Sequence, residues 1–127
     1  MLVVSEILGK QNMEFKASHR YARISPRKVR PVADLVRGKF VDEALDILRF
    51  QPQRGARMLE KVIRSAMANA MDADQNPGRI VRPEDLYLSE VRVDGGPMFK
   101  RMQPRARGMS FLILKRMSHI QISLEEV

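Results

Sequence analysis

The chain has 127 residues and no cysteine, which excludes disulfides and thiolate metal sites and is compatible with a reducing cytosol. No apolar run approaches the roughly 20 residues needed to span a bilayer. Residues Met1 to Leu8 lack a basic leader, and Glu6 interrupts their apolar stretch; they do not read as a secretory signal, and a cytoplasmic location is expected. Aromatic residues make up only 6%, and the aromatic sheet signature of single-strand RNA binders is missing. Any contact with nucleic acid should then rest on phosphates, shape and riboses more than on base stacking. The only histidines, His19 and His119, are far apart in sequence, so no metal site is expected. Gly95-Gly96-Pro97 is followed by no Gly-Lys-Ser/Thr and is not a phosphate loop. Asp72 with Asp74, and Glu84 with Asp85, fall at a helix end and a turn, where acids read as solvated charge rather than acid–base machinery.

What is present is positive charge, unevenly placed. The chain carries 23 basic and 15 acidic residues, a net +8. Residues 16–39 hold Lys16, Arg20, Arg23, Arg27, Lys28, Arg30, Arg37 and Lys39 against the single acid Asp34, a local +7. Residues 95–124 hold Lys100, Arg101, Arg105, Arg107, Lys115 and Arg116 with no acid, a local +6. The stretch between, 40–94, has eight basic and ten acidic residues and is −2. Basic side chains often do no more than solvate a surface, but two acid-poor segments in one small domain favour contact with phosphates.

A hydrophobic share of 44% in a chain of this length suits one domain with one modest core. Residues 1–12 show weak patterning and read as an N-terminal appendage without expected order, with Met13 a candidate internal start; 13–127 form the domain. Phe15 to Ile24 reads as a strand, with Phe15, Ala17, His19 and Tyr21 alternating with Lys16, Ser18 and Arg20. Ser25-Pro26 opens a helix, with serine at the N-cap and proline at the first helical position. Val29, Val32, Ala33 and Val36 form its apolar stripe and Gly38 its stop. Pro31 should kink or loosen its first turns. A short helix covers Asp42 to Arg49 through Ala44, Leu45 and Leu48. A long one covers Gln53 to Ala73, with Leu59, Val62, Ile63, Ala66 and Ala70 on one face, and is stopped by Asn76-Pro77-Gly78. Met58 and Met67 belong in or near the core. Leu86 to Val93 and Phe111 to Leu124 read as strands.

Two turns can join these last strands. Asp94-Gly95 is a common tight-turn pair, but it would pair Leu86–Val93 with a segment containing Pro97 and Pro104, a poor strand. Pro104-Arg105-Ala106-Arg107-Gly108 is the better turn, with Gly95-Gly96-Pro97 as a bulge or bend. Eight residues then separate Gly96 from the tip, so the arm reaches roughly 25 Å at about 3.3 Å per residue. Such a two-stranded arm is marginal alone in water and needs a partner. The apolar run Phe111-Leu112-Ile113-Leu114 is expected to pack its inward side chains near the body. The fold class is therefore α+β: a small single domain with three helices on an antiparallel three-stranded sheet, plus a long protruding β-hairpin over about 91–119.

Several motifs in order resemble one family. Ser25-Pro26-Arg27-Lys28-Val29-Arg30 with Asp34-Leu35-Val36-Arg37-Gly38-Lys39 is similar to its first helix, and Val41-Asp42-Glu43-Ala44-Leu45 to its second. Lys100-Arg101, Pro104-Arg105-Ala106, Gly108, Leu114-Lys115-Arg116 and Ser118-His119-Ile120 resemble its hairpin signature. The family is the bacterial-type large-ribosomal-subunit protein numbered twenty-two, and the resemblance covers about residues 13–126. It departs at Pro31, Gly95, Met109, Phe111 and Leu112, and residues 1–12 match nothing in it.

The resemblance implies a non-enzymatic structural constituent of the large subunit. It would bind 23S-type rRNA, aid assembly and line the nascent-peptide exit tunnel with its hairpin. The implied rRNA-binding residues are Arg20, Arg23, Ser25, Arg27, Lys28, Arg30, Arg37, Lys39, Lys100, Arg101, Arg105, Arg107, Lys115, Arg116, Ser118 and His119. The implied tunnel-lining tip is Met102, Gln103, Pro104, Arg105, Ala106, Arg107 and Gly108. Its partners would be rRNA, neighbouring ribosomal proteins and the nascent peptide, with no cofactor, metal or membrane, and the chain monomeric within the ribosome. Rival readings are a basic DNA- or RNA-binding regulator of antitermination type and an RNA-modifying enzyme. The first needs a base-reading helix, and the helix after Ser25 has no Asn or Gln and contains Pro31. The second needs a catalytic or cofactor motif, and none is found.

Overall fold

A computed structural model describes residues 14–72 and 80–127. The expected appendage, Met13 and the stop at Asn76-Pro77-Gly78 lie outside those residues. Strand β1 spans Glu14–Ala22, helix α1 Pro26–Val36, α2 Val41–Phe50 and α3 Arg54–Met71. Strands β2, Leu86–Pro104, and β3, Ser110–Glu126, complete the chain. The three strands form one antiparallel sheet in the order β1-β3-β2, and the helices pack on one face of it.

The sheet's apolar rows meet the helical stripes. Phe15 pairs with Leu124, Ala17 with Ile122 and His19 with Ile120; Leu88 pairs with Leu124, Val91 with Ile122 and Val93 with Ile120. Against this face lie Val29, Val32, Ala33 and Val36 of α1, Ala44 and Leu48 of α2, and Leu59, Val62, Ile63, Ala66 and Ala70 of α3, all buried. Leu45, Met58 and Met67 are partly buried at the margin of the core. The spacing i, i+3, i+4, i+7 turns these side chains to one side of each helix, and their burial holds the layers together.

Three local expectations change. The alternation in β1 breaks after His19, where the register shifts before Ala22. Tyr21 takes φ +59 and is 60% exposed, while Ala22 turns inward. Pro31 does not interrupt α1, which runs unbroken from Pro26 to Val36; it sits on the exposed side with Arg27, where loss of one backbone donor costs least. Ser25 holds the N-cap position, but its hydroxyl makes no cap bond.

Beyond the body, β2 and β3 continue as a pair alone. The last pairing of β1 with β3 is Ala22 with Ser118, whereas β2 and β3 pair on to Pro104 and Ser110. The register slips between Gly95 and Met98, as the Gly-Gly-Pro bulge requires. A Cβ on Gly96 would lie 3.3 Å from the His119 ring and from Met117 Cβ, so a side chain here would press these neighbours back, and glycine allows the close approach. The arm closes at residues 105–109, where Arg105 N–H donates to Met109 O at 2.6 Å and Arg107 and Gly108 take φ of +62 and +70.

The run Phe111 to Leu114 does not return to the body. Phe111 and Leu112 pair with Gln103 and Met102 in the outer arm and are 53% and 55% exposed; only Ile113 and Leu114 are half-buried. The long arm carries Phe111 and Leu112 outward, while Ile113 and Leu114 stay at its root, beside the start of α1.

Ile63 is fully buried, and its replacement by Ala should destabilise the fold by about 2–5 kcal/mol. Arg105→Ala, at the exposed tip, should leave the denaturant midpoint almost unmoved. Equal losses in parallel melts would show that the arm, not the helical layer, carries the stability.

Candidate nucleic-acid interface

The end of β1, the start of α1 and the root of the arm enclose an open groove of about 650 Å³. Arg23, Ser25 and Lys28 line it from the body, and Phe99, Arg101, Lys115 and Arg116 line it from the arm. Ile113, Leu114 and Met117 complete the lining. Five cations and no carboxylate face this space. The basic segments 16–39 and 95–124 are therefore joined in space, although residues 40–94 separate them in sequence. Like charges held together in the free protein repel, and an anion in the groove relieves that repulsion. The first turn of α1, without a side-chain cap, adds the positive end of a helix dipole beside Ser25.

The sequence-predicted residues divide by what already occupies them. Among the described residues, no ion pair or side-chain hydrogen bond engages Arg20, Arg23, Arg27, Lys28, Lys100, Arg107 or Lys115. Arg101 donates to its neighbour's carbonyl at 2.9 Å and stacks over Phe99 at 5.2 Å. Arg105 donates to Gln103 at 3.3 Å and stacks over Phe111 at 5.8 Å. Arg116 donates to the Met98 sulfur at 3.2 Å. The tip residues Met102, Gln103, Pro104, Arg105, Ala106, Arg107 and Gly108 are all exposed at the far end of the arm.

Other predicted residues are engaged within the fold. Arg30 donates to Val93 O at 3.3 Å, and Arg37 donates to Val91 O at 2.8 Å while pairing with Asp34. These carbonyls belong to the outer edge strand β2. Lys39 pairs with Glu43 at 3.9 Å. Ser118 is 0% exposed and donates to Ile24 O at 2.6 Å, so its hydroxyl is withdrawn from the surface. His119 is half-buried and accepts the Tyr21 N–H at its Nδ1, 3.0 Å away, with the two rings edge to face.

Three surface residues were missed in the sequence. Arg54 shares a hollow with Lys28, Ile24 and Gln53 beside the groove; its only signal is a cation at a helix start after Pro52. Phe99 carries no signal, because one ring in a basic strand looks like filler. Tyr21 looked like part of an inward row. On the open face of the sheet, away from the groove, the Tyr87 hydroxyl donates to Glu125 at 2.6 Å. That bond, with loss of water and the Glu125 charge, holds the Tyr87 phenol above its ordinary range. Among the described residues, no three His, Asp or Glu side chains gather to hold a metal ion, and no helix is long and apolar enough to cross a membrane.

Ser118→Ala leaves the Ile24 carbonyl without its buried donor, and should cost about 1–3 kcal/mol of stability. Its affinity for RNA, measured where the variant is fully folded, should match the parent. A selective loss of affinity with stability intact would place Ser118 in the interface after all.

Comparison with known proteins agrees with the resemblance. The model of the family described as ribosomal protein L22p/L17e matches residues 17–125. The large ribosomal subunit protein uL22 of Rhodopirellula baltica is 67% identical over 114 residues, covering 90% of this chain and 96% of that protein. The protein of the same name from Caldicellulosiruptor saccharolyticus is 54% identical over 110 residues, covering 87% and 86%. That from Maridesulfovibrio salexigens is 51% identical over 115 residues, covering 91% of this chain and 100% of its own. With the match spanning the body and both arms of the hairpin, the chain belongs to the ribosomal protein L22p/L17e family.

Proposed function

We propose that this chain is a structural, non-catalytic constituent of the large ribosomal subunit in the cytoplasm, holding 23S-type rRNA at two places. The first is the groove between α1 and the root of the arm, with Arg23, Lys28, Arg101, Lys115 and Arg116. The second is the arm itself, whose tip lies along the exit tunnel beside the nascent peptide. In this reading the protein is monomeric within the subunit, touches neighbouring ribosomal proteins and aids assembly by tying separate rRNA segments together.

The observation that carries it is the groove. Five cations converge there without one carboxylate, and no internal partner neutralises Arg23, Lys28 or Lys115 among the described residues. An rRNA backbone supplies phosphates at the density this surface calls for. The arm adds a second argument. Past Ser118 it has no third strand and displays Met102, Met109, Phe111 and Leu112 to solvent. A two-stranded ribbon with exposed apolar side chains gains its order from what surrounds it.

Binding to large-subunit rRNA fragments should weaken steeply with salt, and Lys28→Glu or Lys115→Glu should each reduce the slope of log affinity against log salt by about 1. A flat salt response, or slopes unchanged in both variants, would remove the groove from the interface. Amide exchange of the free chain should be fast over residues 98–116 and slow over 117–124, where β3 gains β1 and the helical layer. Strong protection of the outer arm without RNA would point to a self-stable hairpin.

A further inference from the structure

The arm has two unlike faces. Residues paired across an antiparallel ribbon share a face. Phe99 with Lys115, Arg101 with Ile113, and Gln103 with Phe111 lie on one; Met98 with Arg116, Lys100 with Leu114, and Met102 with Leu112 lie on the other. Both aromatic rings of the arm are thus on a single face, each under a guanidinium, Arg101 at 5.2 Å and Arg105 at 5.8 Å. That face gives the groove Phe99, Arg101, Ile113 and Lys115, while Leu114 and Arg116 of the other face line it as well. Phe99 is 43% exposed even with Arg101 over its ring, and it shares the groove with Arg23, Lys28 and Lys115.

Resting on the reading of the groove as an rRNA site, we propose that it seats an unpaired nucleotide, its base stacked on Phe99 and its phosphate held by Arg23, Lys28 and Lys115. Cations alone fit any phosphate backbone. The ring narrows the choice, because a phenyl face meets a base only when that base is out of its helix. The size agrees: about 650 Å³ lies within the roughly 300–1,000 Å³ of pockets that hold single small ligands. Arg101 extends the platform, since its guanidinium already lies over the ring and offers a second planar, cationic surface. Scarcity of aromatics argues against stacking across the sheet, and nothing there contradicts it. The stacking site lies instead at the joint of body and arm, where a single ring suffices.

The chain has no tryptophan, so Phe99→Trp provides a single reporter in the full-length protein. Unpaired oligouridylate should quench its fluorescence to saturation. An adenylate–uridylate duplex and inorganic polyphosphate, at concentrations that fill the cationic surface, should leave it nearly unchanged. Phe99→Ala should lose roughly five- to hundredfold in affinity for oligouridylate and none for polyphosphate, with Phe99→Tyr close to the parent. Since Phe99 is half-exposed, these variants should melt with the parent, and melts check this. Undiminished oligouridylate binding by Phe99→Ala, or equal quenching by polyphosphate, would overturn the stacking site while the rRNA reading stands. Failure of the parent chain to bind any large-subunit rRNA fragment would instead overturn the rRNA reading itself.

Discussion

The structure depends on β3 being paired on both sides for only part of its length. From Ser118 to Glu125 it lies between β1 and β2 and buries Ile120, Ile122 and Leu124 beneath the helices. Before Ser118 it has β2 alone. The position where β1 leaves the sheet therefore sets where the body ends and the arm begins. The same departure turns the chain toward α1 and delivers Arg23 and Lys28 to the root of the arm. Ser118 ties the two events together, since its buried hydroxyl holds the Ile24 carbonyl at the turn. The bulge at Tyr21, fixed by the His119 acceptor, completes the joint. Groove, arm and body are in this sense consequences of one strand ending early.

Much of the architecture was legible in the sequence because its signals are local and repeated. The stripes Val29-Val32-Ala33-Val36 and Leu59-Val62-Ile63-Ala66-Ala70 specify which side of each helix is inside, and the structure buries each of these residues. Turn chemistry at Pro104 to Gly108 fixed the hairpin against the alternative at Asp94-Gly95. What was hidden depended on long-range geometry. Nothing near Tyr21 announces a left-handed residue and a slipped register, because the cause is a histidine 98 positions away. Pro31 reads as disruptive because a sequence does not show that it and Arg27, whose carbonyl it leaves without a helical donor, lie on the exposed side of α1.

The candidate site was legible as charge and not as arrangement. Counting signs found the two basic segments, yet could not separate cations free to meet a ligand from those spent on the fold. Arg27 and Arg30 differ by less than one helical turn. Arg27 points out, while Arg30 reaches Val93 O. Nor could a motif match tell that Ser118 is buried while His119 next to it is not. Phe99 shows the converse: a residue of no sequence distinction becomes notable only once the register places it on the groove face beside Lys115.

The engagement of Arg30 and Arg37 has a wider consequence. β2 is an edge strand, and its outward backbone would present unpaired carbonyls and amides to any passing strand. Arg37 takes Val91 O, Arg30 takes Val93 O, and residues 38–40 run alongside, with Gly38 N–H donating to Leu88 O and Leu88 N–H to Lys39 O. At the opposite edge Asn69 donates to Lys16 O. Strand-by-strand polymerisation between copies is thereby obstructed at both margins of the body. What remains uncovered is the outer arm, where Met102, Met109, Phe111 and Leu112 stand exposed, so any self-association of the free chain would be confined to that segment.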